Sequence, residues 1–230
     1  MLAGFATVLV FFPRWSQHRK AAAVKRWSRE LLAIVRVKLT CRRLPQRLPP
    51  RCLFVLNHVS WLDIFAVDAV HPVIFVAKSE IGDWPVLGVI ARAVGTVFIE
   101  RGSRRAARRT NEHISAALNS HKPVACFPEG ATSHGHSVGR FHGALFQPAI
   151  DTGATVQPVA IRYLDGDGRR SEASAYVGDD SLMKSVWTLI SHPSTVAELH
   201  FLPTLNASGC ERREFAQRVR EEISRALRSS

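Results

Sequence analysis

Cysteine is scarce in this chain of 230 residues, and its placement excludes two common kinds of stabilising site. The four cysteines, Cys41, Cys52, Cys126 and Cys210, have neither the paired spacing of a zinc site nor the framework of a disulfide-rich secreted domain. Cys52 and Cys126 lie inside apolar runs, which is typical of buried thiols. We therefore expect free cysteines and a chain that faces a reducing compartment.

Long hydrophobic runs are also missing. The segment from Met1 to Phe12 is nearly all apolar, but about twelve residues are too few to cross a bilayer as a helix. It has neither the preceding basic region nor the small-residue cleavage site of a secretory signal. We expect this run to act as an anchor that enters the membrane without crossing it.

Acidic residues are few, 19 against 31 Lys and Arg, which gives a formal charge of +12. The imbalance is local: from Arg14 to Arg51 there are twelve basic residues and one acid, Glu30. The rest of the chain is therefore nearly neutral. A basic segment attached to a neutral body is typical of proteins that bind nucleic acid or an anionic membrane surface.

The apolar residues within the basic segment separate these two possibilities. Trp15, Trp27 and the aliphatic run 31–35 are interleaved with the cations, as in helices that lie in a membrane interface. We find no recognisable nucleic-acid reading module. We expect an anionic membrane surface as a partner, no nucleic acid, and a location at the inner, cytoplasmic face of the cell membrane.

The pattern of apolar and polar residues predicts one α/β domain behind a membrane-binding segment. Residues 1–50 are predicted to form an amphipathic membrane-anchoring segment, helical over 14–43 and linked by 44–50 to a domain at 51–230. In this domain apolar strands alternate with helical patterns, which indicates a mixed, mostly parallel sheet flanked by helices. Strands are predicted at 52–57, 73–77, 96–100, 123–127, 155–163, 172–177 and 196–203. Helices are predicted at 63–70, 85–94, 103–119, 141–151, 181–191 and 211–228.

A polar turn follows the first of these strands. The apolar run 53–56 ends in Asn57-His58, and a second apolar run begins after Asp63. A buried strand that delivers polar side chains to its carboxyl end has this pattern. His58 and Asp63 are close enough in sequence for the carboxylate to fold back onto the imidazole and orient it as a base. Taken alone, the spacing can also be incidental, with Asp63 a helix N-terminal residue.

Ser60 lies inside the same turn and is a candidate nucleophile. No Gly-x-Ser-x-Gly elbow surrounds it, so we expect Ser60 and Asn57 to brace the turn through backbone hydrogen bonds.

The three histidines His134, His136 and His142 raise the possibility of a metal site. They lack a carboxylate or cysteine at a spacing that would complete the ligand set, and we expect no metal.

Three further blocks follow the Asn57–Asp63 turn, at Gly95–Arg101, Phe127–Ser133 and Val156–Val159. In this order the four blocks resemble the motifs of the glycerolipid acyltransferase family, whose best-known members acylate 1-acylglycerol-3-phosphate. The resemblance spans residues 52–163, about half of the chain. Each block alone is a weak signal, and their ordered occurrence together is a strong one.

The resemblance implies an O-acyltransferase of phospholipid biosynthesis, in which the catalytic residues are His58 and Asp63. The acyl donor would be acyl-CoA or acyl-carrier protein, acting as a substrate, with no cofactor. The chemistry agrees, because acyl transfer needs a base for the acceptor hydroxyl and needs no nucleophile from the enzyme. A hydrolase that uses the same dyad on water is the competing interpretation.

Four residues are candidates for binding the acceptor. Unaided, the sequence allows Arg101 to grip a phosphate or to pair with Glu100 at the surface. Glu129 can bind hydroxyls or an arginine, or be a surface carboxylate, and Gly130 permits close approach of a ligand to the backbone. The resemblance assigns Arg101 to the acceptor's phosphate and Glu129 to the acceptor site.

Thr132 departs from the family pattern, which more often has arginine at this place. The change removes one cationic contact for a phosphate. Relatives with Glu-Gly-x-Thr include enzymes that acylate lyso-ornithine lipid. We expect 1-acyl-sn-glycerol-3-phosphate as the acceptor, with lyso-ornithine lipid or another lysophospholipid as the alternative.

Overall fold

The computed structural model describes residues 12–83, 87–99, 104–178, 181–192 and 194–229. The helices in these ranges are α1 Gln17–Ile34, α2 Leu62–Asp68, α3 Ser79–Gly82, α4 Leu87–Val94, α5 Arg104–Asn119, α6 Gln147–Thr152, α7 Leu182–Ser191 and α8 Arg212–Arg228. The strands are β1 Val37–Arg42, β2 Cys52–Leu56, β3 Ile74–Lys78, β4 Val97–Ile99, β5 Val124–Cys126, β6 Thr155–Leu164, β7 Thr195–Phe201 and β8 Leu205–Asn206. Single 3-10 turns lie at Phe12–Arg14, Gly143–Phe146 and Glu172–Ser174.

The strands form one sheet in the order β1-β7-β6-β2-β5-β3-β4, with β8 also paired to β6. The strands from β6 to β4 run parallel to one another. β7 runs antiparallel to β6, and β1 runs parallel to β7. The predicted mixed, mostly parallel sheet with flanking helices is confirmed.

β2 lies at the centre of the sheet because all five of its residues are apolar and buried. Its side chains alternate between two cores: Phe54 and Leu56 pack on one face, Leu53 and Val55 on the other. The first face also receives buried residues of α1, α2 and α7, and the second those of α5, α6 and α8. The last helix, α8, buries an apolar stripe that repeats every four residues, Phe215, Val219, Ile223 and Leu227.

The prediction of helix across residues 14–43 was wrong for its C-terminal part, where the structure has a strand. α1 stops at Ile34, and β1 pairs with β7 from Val37 opposite Thr195 to Arg42 opposite His200. Strict alternation of apolar and polar residues in Val37–Arg42 places every second side chain against the core. The predicted division at residue 50 stays a prediction, although β1, on the N-terminal side of that position, belongs to the same sheet as the strands that follow it.

The predicted strand at 172–177 does not form. A 3-10 turn occupies Glu172–Ser174, and the backbone that follows contacts the turn after β2 instead of joining the sheet. The N–H of Tyr176 donates to the carbonyl of Val59 at 3.1 Å, and its carbonyl accepts the hydroxyl of Thr132. These contacts occupy groups that a strand would use for its ladder.

The apolar run that begins at Met1 lies outside the described residues except for its last member. Phe12 is buried and stacks on Trp27 of α1, with ring centroids 5.6 Å apart. α1 buries Leu32 against the sheet and leaves Arg19 and Arg26 exposed. Across the described ranges, none of the helices has both the length and the apolar character needed to cross a bilayer.

Candidate active site

The candidate site lies at the edge of the sheet where the parallel strands end. His58 comes two residues after β2, and Glu129 three residues after β5, and these strands are neighbours. The carboxyl ends of parallel strands meet at one edge, so short loops from both strands converge there. The sequence predicted His58 and Asp63 at such a strand end, and the structure places them there.

His58 and Asp63 form a hydrogen-bonded pair. Nδ1 of His58 lies 2.8 Å from Oδ2 of Asp63. The Asp63 side chain is fully buried, whereas that of His58 is 18% exposed. A carboxylate on Nδ1 fixes the tautomer of the ring and leaves Nε2 to accept a proton. Within the described residues, Nε2 has no protein partner.

Asp63 is held in place by three other hydrogen bonds. Its Oδ2 accepts the backbone N–H groups of Val59 at 2.8 Å and Ser60 at 3.1 Å. Its Oδ1 accepts the hydroxyl of Tyr163 at 2.7 Å. A buried carboxylate that accepts four hydrogen bonds cannot rotate without breaking them. The dyad is therefore rigid on its carboxylate side.

Tyr163 is a site residue that the sequence reasoning did not identify. It lies near the end of β6, and its hydroxyl meets a carboxylate one hundred residues away. Burial, together with the charge of Asp63, raises the pKa of Tyr163 well above its usual value, so the phenol remains a donor. The sequence did contain a signal for this role, because the buried hydroxyl of a tyrosine at a strand end needs a hydrogen-bond partner.

An aromatic stack fixes the plane of the imidazole. The ring of His58 lies parallel to that of Phe127, with centroids 3.9 Å apart and planes 14° apart. Phe127 stacks in turn on Phe75, with centroids 5.8 Å apart. Phe127 comes directly after β5 and Phe75 lies in β3, so neighbouring strands form the wall behind the imidazole of His58. The wall restricts the ring to the orientation that the Asp63 contact requires.

Glu129 braces the turn from His58 to Asp63. Its Oε1 accepts the backbone N–H of His58 at 2.8 Å, and its Oε2 accepts that of Gly139 at 2.7 Å. Burial raises the pKa of Glu129, while these two amides and the nearby His58 act in the opposite direction. Each carboxylate oxygen keeps a second lone pair for an acceptor hydroxyl. The assignment of Glu129 to acceptor binding stays a prediction.

Gly130 and Thr132 lie in the loop beside Glu129. Gly130 has a φ of 73°, a left-handed conformation that glycine adopts without strain, and a Cβ there would meet the ring of His142 at 3.5 Å. The Thr132 hydroxyl donates to the carbonyl of Tyr176, so it is directed into the protein. Ser133 contacts the His58–Asp63 turn, donating its N–H to the carbonyl of His58 at 2.9 Å.

Arg101 and Glu100 lie outside the described residues, and the assignment of Arg101 to a phosphate stays a prediction.

Ser60 is fully buried, which is incompatible with attack on a substrate from solvent. Asn57 braces the turn as expected, because its side chain both donates to and accepts from the backbone of Ile161, at 2.9 and 2.8 Å. These bonds tie the end of β2 to β6.

His134, His136 and His142 do not make a metal site in the described part of the chain. The rings of His134 and His136 lie 6.4 Å apart, and His136 faces Glu172 at 3.3 Å. No group of three or more His, Cys, Asp or Glu side chains in the described ranges is arranged to hold a metal ion.

Comparison with known proteins identifies the family of the chain. The acyltransferase family model matches residues 38–162. The 1-acyl-sn-glycerol-3-phosphate acyltransferase of Neisseria meningitidis serogroup B is 40% identical over 205 residues, covering 89% of this chain and 80% of that protein. The lyso-ornithine lipid O-acyltransferase of Pseudomonas aeruginosa is 35% identical over 175 residues, covering 76% of this chain and 67% of that protein.

A solved structure shares the fold. The 1-acyl-sn-glycerophosphate acyltransferase PlsC from Thermotoga maritima superposes with a TM-score of 0.72 at 19% identity, covering 97% of this chain and 87% of that one. At this identity the likeness concerns the fold alone.

The family model and these relatives show that the chain belongs to the acyltransferase family, whose members transfer acyl groups. Within that family its relatives are the glycerolipid O-acyltransferases, so the resemblance read from the four motif blocks is confirmed.

Proposed function

We propose that this protein transfers a fatty acyl group from a thioester to the free hydroxyl of a lysolipid, with His58 as the base. One observation carries the proposal: His58 is partly exposed, and the carboxylate behind it is fully buried and held by four donors. Such a pair supplies a base of fixed orientation at a solvent-reachable position.

The reaction needs one base and two substrates. Nε2 of His58 takes the proton from the acceptor hydroxyl as that oxygen attacks the thioester carbonyl. The tetrahedral intermediate collapses to the ester, the carbon–sulfur bond breaks, and the imidazolium returns the proton to the leaving thiolate. Asp63 stabilises the imidazolium while it exists. No covalent acyl-enzyme is required, which is consistent with the burial of Ser60.

The first acceptor we propose is 1-acyl-sn-glycerol-3-phosphate. The support is the 40% identity to the N. meningitidis enzyme that bears this substrate in its name. The donor is acyl-CoA or acyl-carrier protein, acting as a substrate, and the mechanism uses no cofactor or metal. We place the protein on the anionic, cytoplasmic face of the cell membrane because α1 exposes Arg19 and Arg26 and the acceptor is a lipid.

A second acceptor, lyso-ornithine lipid, is supported by two observations. The P. aeruginosa relative named for this substrate is 35% identical. In addition, Thr132 provides no cation, and its hydroxyl is already bonded to the carbonyl of Tyr176. A phosphomonoester therefore finds one contact fewer at this loop than in relatives with arginine, a loss of roughly 1.5–3 kcal/mol for a well-formed charge-assisted contact.

The test is a matrix of acceptors and donors with purified full-length protein. Lysophosphatidate, lyso-ornithine lipid and other lysophospholipids are each offered with labelled acyl-CoA and with acyl-carrier protein. We expect labelled diacyl product with lysophosphatidate, and a Thr132→Arg variant with a higher specificity ratio for lysophosphatidate over lyso-ornithine lipid. Release of free thiol with no dependence on any lysolipid would instead identify a thioester hydrolase and reject the proposal.

A further inference from the structure

Helix α7 carries a stripe of exposed apolar side chains. Met183 is 77% exposed, Trp187 73% and Ile190 37%. They lie four and three residues apart, so they share one face of the helix. The opposite face packs against the protein, and its residues Ser185 and Leu189 are buried. The solvent-exposed face of α7 is therefore as apolar as its buried face.

The helix that carries this stripe lies beside the His58–Asp63 turn. Nε1 of Trp61, within the His58–Asp63 turn, donates to Oγ of Ser185 at 3.0 Å. α7 leads directly into β7, whose first residues pair with the end of β6 next to Tyr163, the partner of Asp63. Both contacts place the helix at the edge of the sheet that holds the dyad.

Another exposed apolar residue lies at the same edge. Ile34, 68% exposed, ends α1 three residues before Val37, and Val37 pairs with Thr195 at the start of β7. The apolar surface near the active site therefore draws on both α7 and α1. Both helices pack on the same face of the sheet.

The chemistry of this surface matches a lipid bilayer. Tryptophan is enriched at membrane interfaces, and cations beside apolar residues suit anionic headgroups. Arg36 follows Ile34, and Lys184 is the sole charged residue within α7. Exposed apolar patches on soluble surfaces mark interaction sites, and here the reaction concerns a lipid acceptor.

We propose that Met183, Trp187 and Ile190, together with Ile34, form a docking surface that inserts into an anionic bilayer and holds the mouth of the active site against it. It is a second membrane contact, separate from the basic face of α1. The purpose of the contact, delivery of a lysolipid to His58, rests on the proposed function. Insertion itself does not.

A triple variant tests the proposal. In Met183→Ser/Trp187→Ser/Ile190→Ser the stripe is polar, and because the side chains are exposed we expect an unchanged melting temperature. The matched control is Leu44→Ser, which removes a 43% exposed leucine that follows the far end of β1, at the opposite edge of the sheet. Vesicles of phosphatidylglycerol and phosphatidylethanolamine are the probe for co-sedimentation.

We expect the triple variant to partition onto these vesicles at least about tenfold more weakly than wild type, and the control to match wild type. Acylation of a lysolipid embedded in vesicles should fall in parallel, whereas acylation of a short-chain lysolipid dissolved as monomer should not change. Equal co-sedimentation of the triple variant and wild type overturns the proposal. The proposal is also overturned if wild type is a dimer in the absence of lipid and the triple variant is a monomer. In that case the stripe would bind a second copy of the chain.

The two proposals fail in different ways. If wild type acylates no dissolved lysolipid, the proposed function fails, whatever the vesicle result. If wild type acylates dissolved lysolipid but the stripe does not affect vesicle binding, the docking surface alone fails.

Discussion

The carboxylate of Glu129 accepts the backbone N–H of His58 at 2.8 Å, so the loop after β5 holds the main chain of the residue proposed as the base. The other oxygen of the same carboxylate holds Gly139 at 2.7 Å, and a Cβ on Gly139 would lie 2.9 Å from it. Glu129 thus links two loops at the site, independently of any acceptor.

Glu129→Gln tests this bracing role against acceptor binding. The amide retains one acceptor oxygen and presents an NH₂ to the other backbone N–H, so one charge-assisted bond is lost. We expect kcat to fall about tenfold, with KM for the acceptor changed by less than about threefold. Glu112→Gln, on the exposed face of α5, is the control and should behave as wild type. A raised KM with normal kcat would identify Glu129 as an acceptor ligand instead.

The dyad itself gives the largest expected effect. His58→Ala removes the base, and Asp63→Asn replaces an anion that accepts four donors with a neutral amide that lets the imidazole adopt the wrong tautomer. Each should lower kcat/KM by roughly 10²- to 10⁴-fold in steady-state assays. His113→Ala on α5 is a matched exposed control. A well-folded His58→Ala protein with near-normal turnover would falsify the mechanism.

Tyr163→Phe probes the support behind the dyad. The change deletes the 2.7 Å donor to Oδ1 of Asp63 and leaves the ring in place. We expect the free energy of unfolding to fall by about 1.5–3 kcal/mol and kcat to fall about tenfold, with KM unchanged. The chain has one other tyrosine, Tyr176, which meets the catalytic turn through its backbone. Tyr176→Phe should leave both quantities intact, and equal losses in the two variants would argue for a general packing effect.

Membrane attraction by α1 is tested by charge reversal. Arg19→Glu/Arg26→Glu places acids on its exposed face, and each cation near an anionic surface contributes about 1 kcal/mol. Binding to anionic vesicles should weaken more than tenfold, and the wild-type affinity should itself fall as salt rises. The matched control, Arg213→Glu/Arg218→Glu, lies on α8 across the sheet. Equal weakening by both pairs would mean that net charge, not the face of α1, attracts the bilayer.

Asp68 makes stability depend on pH. It ends α2, is 6% exposed and accepts the N–H of Val73 at 3.1 Å. Burial raises its pKa from 3.8 to about 7, and the Val73 bond opposes this only in part. A raised pKa means that the stabilising contribution of the neutral acid is complete below pH 3.8 and is lost as pH rises through about 7.

Asp68→Asn should remove the loss of stability that Asp68 causes as the pH rises. We expect the free energy of unfolding from urea titrations to fall less between pH 5 and pH 8 in the variant than in wild type, by on the order of 2 kcal/mol. Comparing the two proteins cancels the opposite contribution of His71, whose pKa is lowered mainly by burial. The same pH dependence in both proteins would mean that Asp68 does not titrate as described.

The sequence predicted the parts of the site that depend on local order. His58 and Asp63 meet across a five-residue turn, and the apolar run before them is long enough to be read as a buried strand. Tyr163 and the bracing bonds of Glu129 depend on which strands become neighbours, and a single sequence does not state that order.

β1 was missed for a related reason. Its partner β7 is more than 150 residues away, and the basic residues around it are typical of an interfacial helix. The alternation in Val37–Arg42 was nevertheless readable as a strand signal, with Val, Leu and Cys at every second position.

The pairing of β1 with β7 has a practical consequence for anyone who shortens this protein. A chain begun at residue 51 to escape the membrane would lack β1, and Thr195–Phe201 would become an edge strand with a free row of N–H and C=O groups. Bare edges template pairing with other chains, and β7 has only Glu198 as an acidic residue to discourage this. We expect such a truncation to aggregate, and soluble forms are better sought by changing surface side chains on a chain that retains Val37–Arg42.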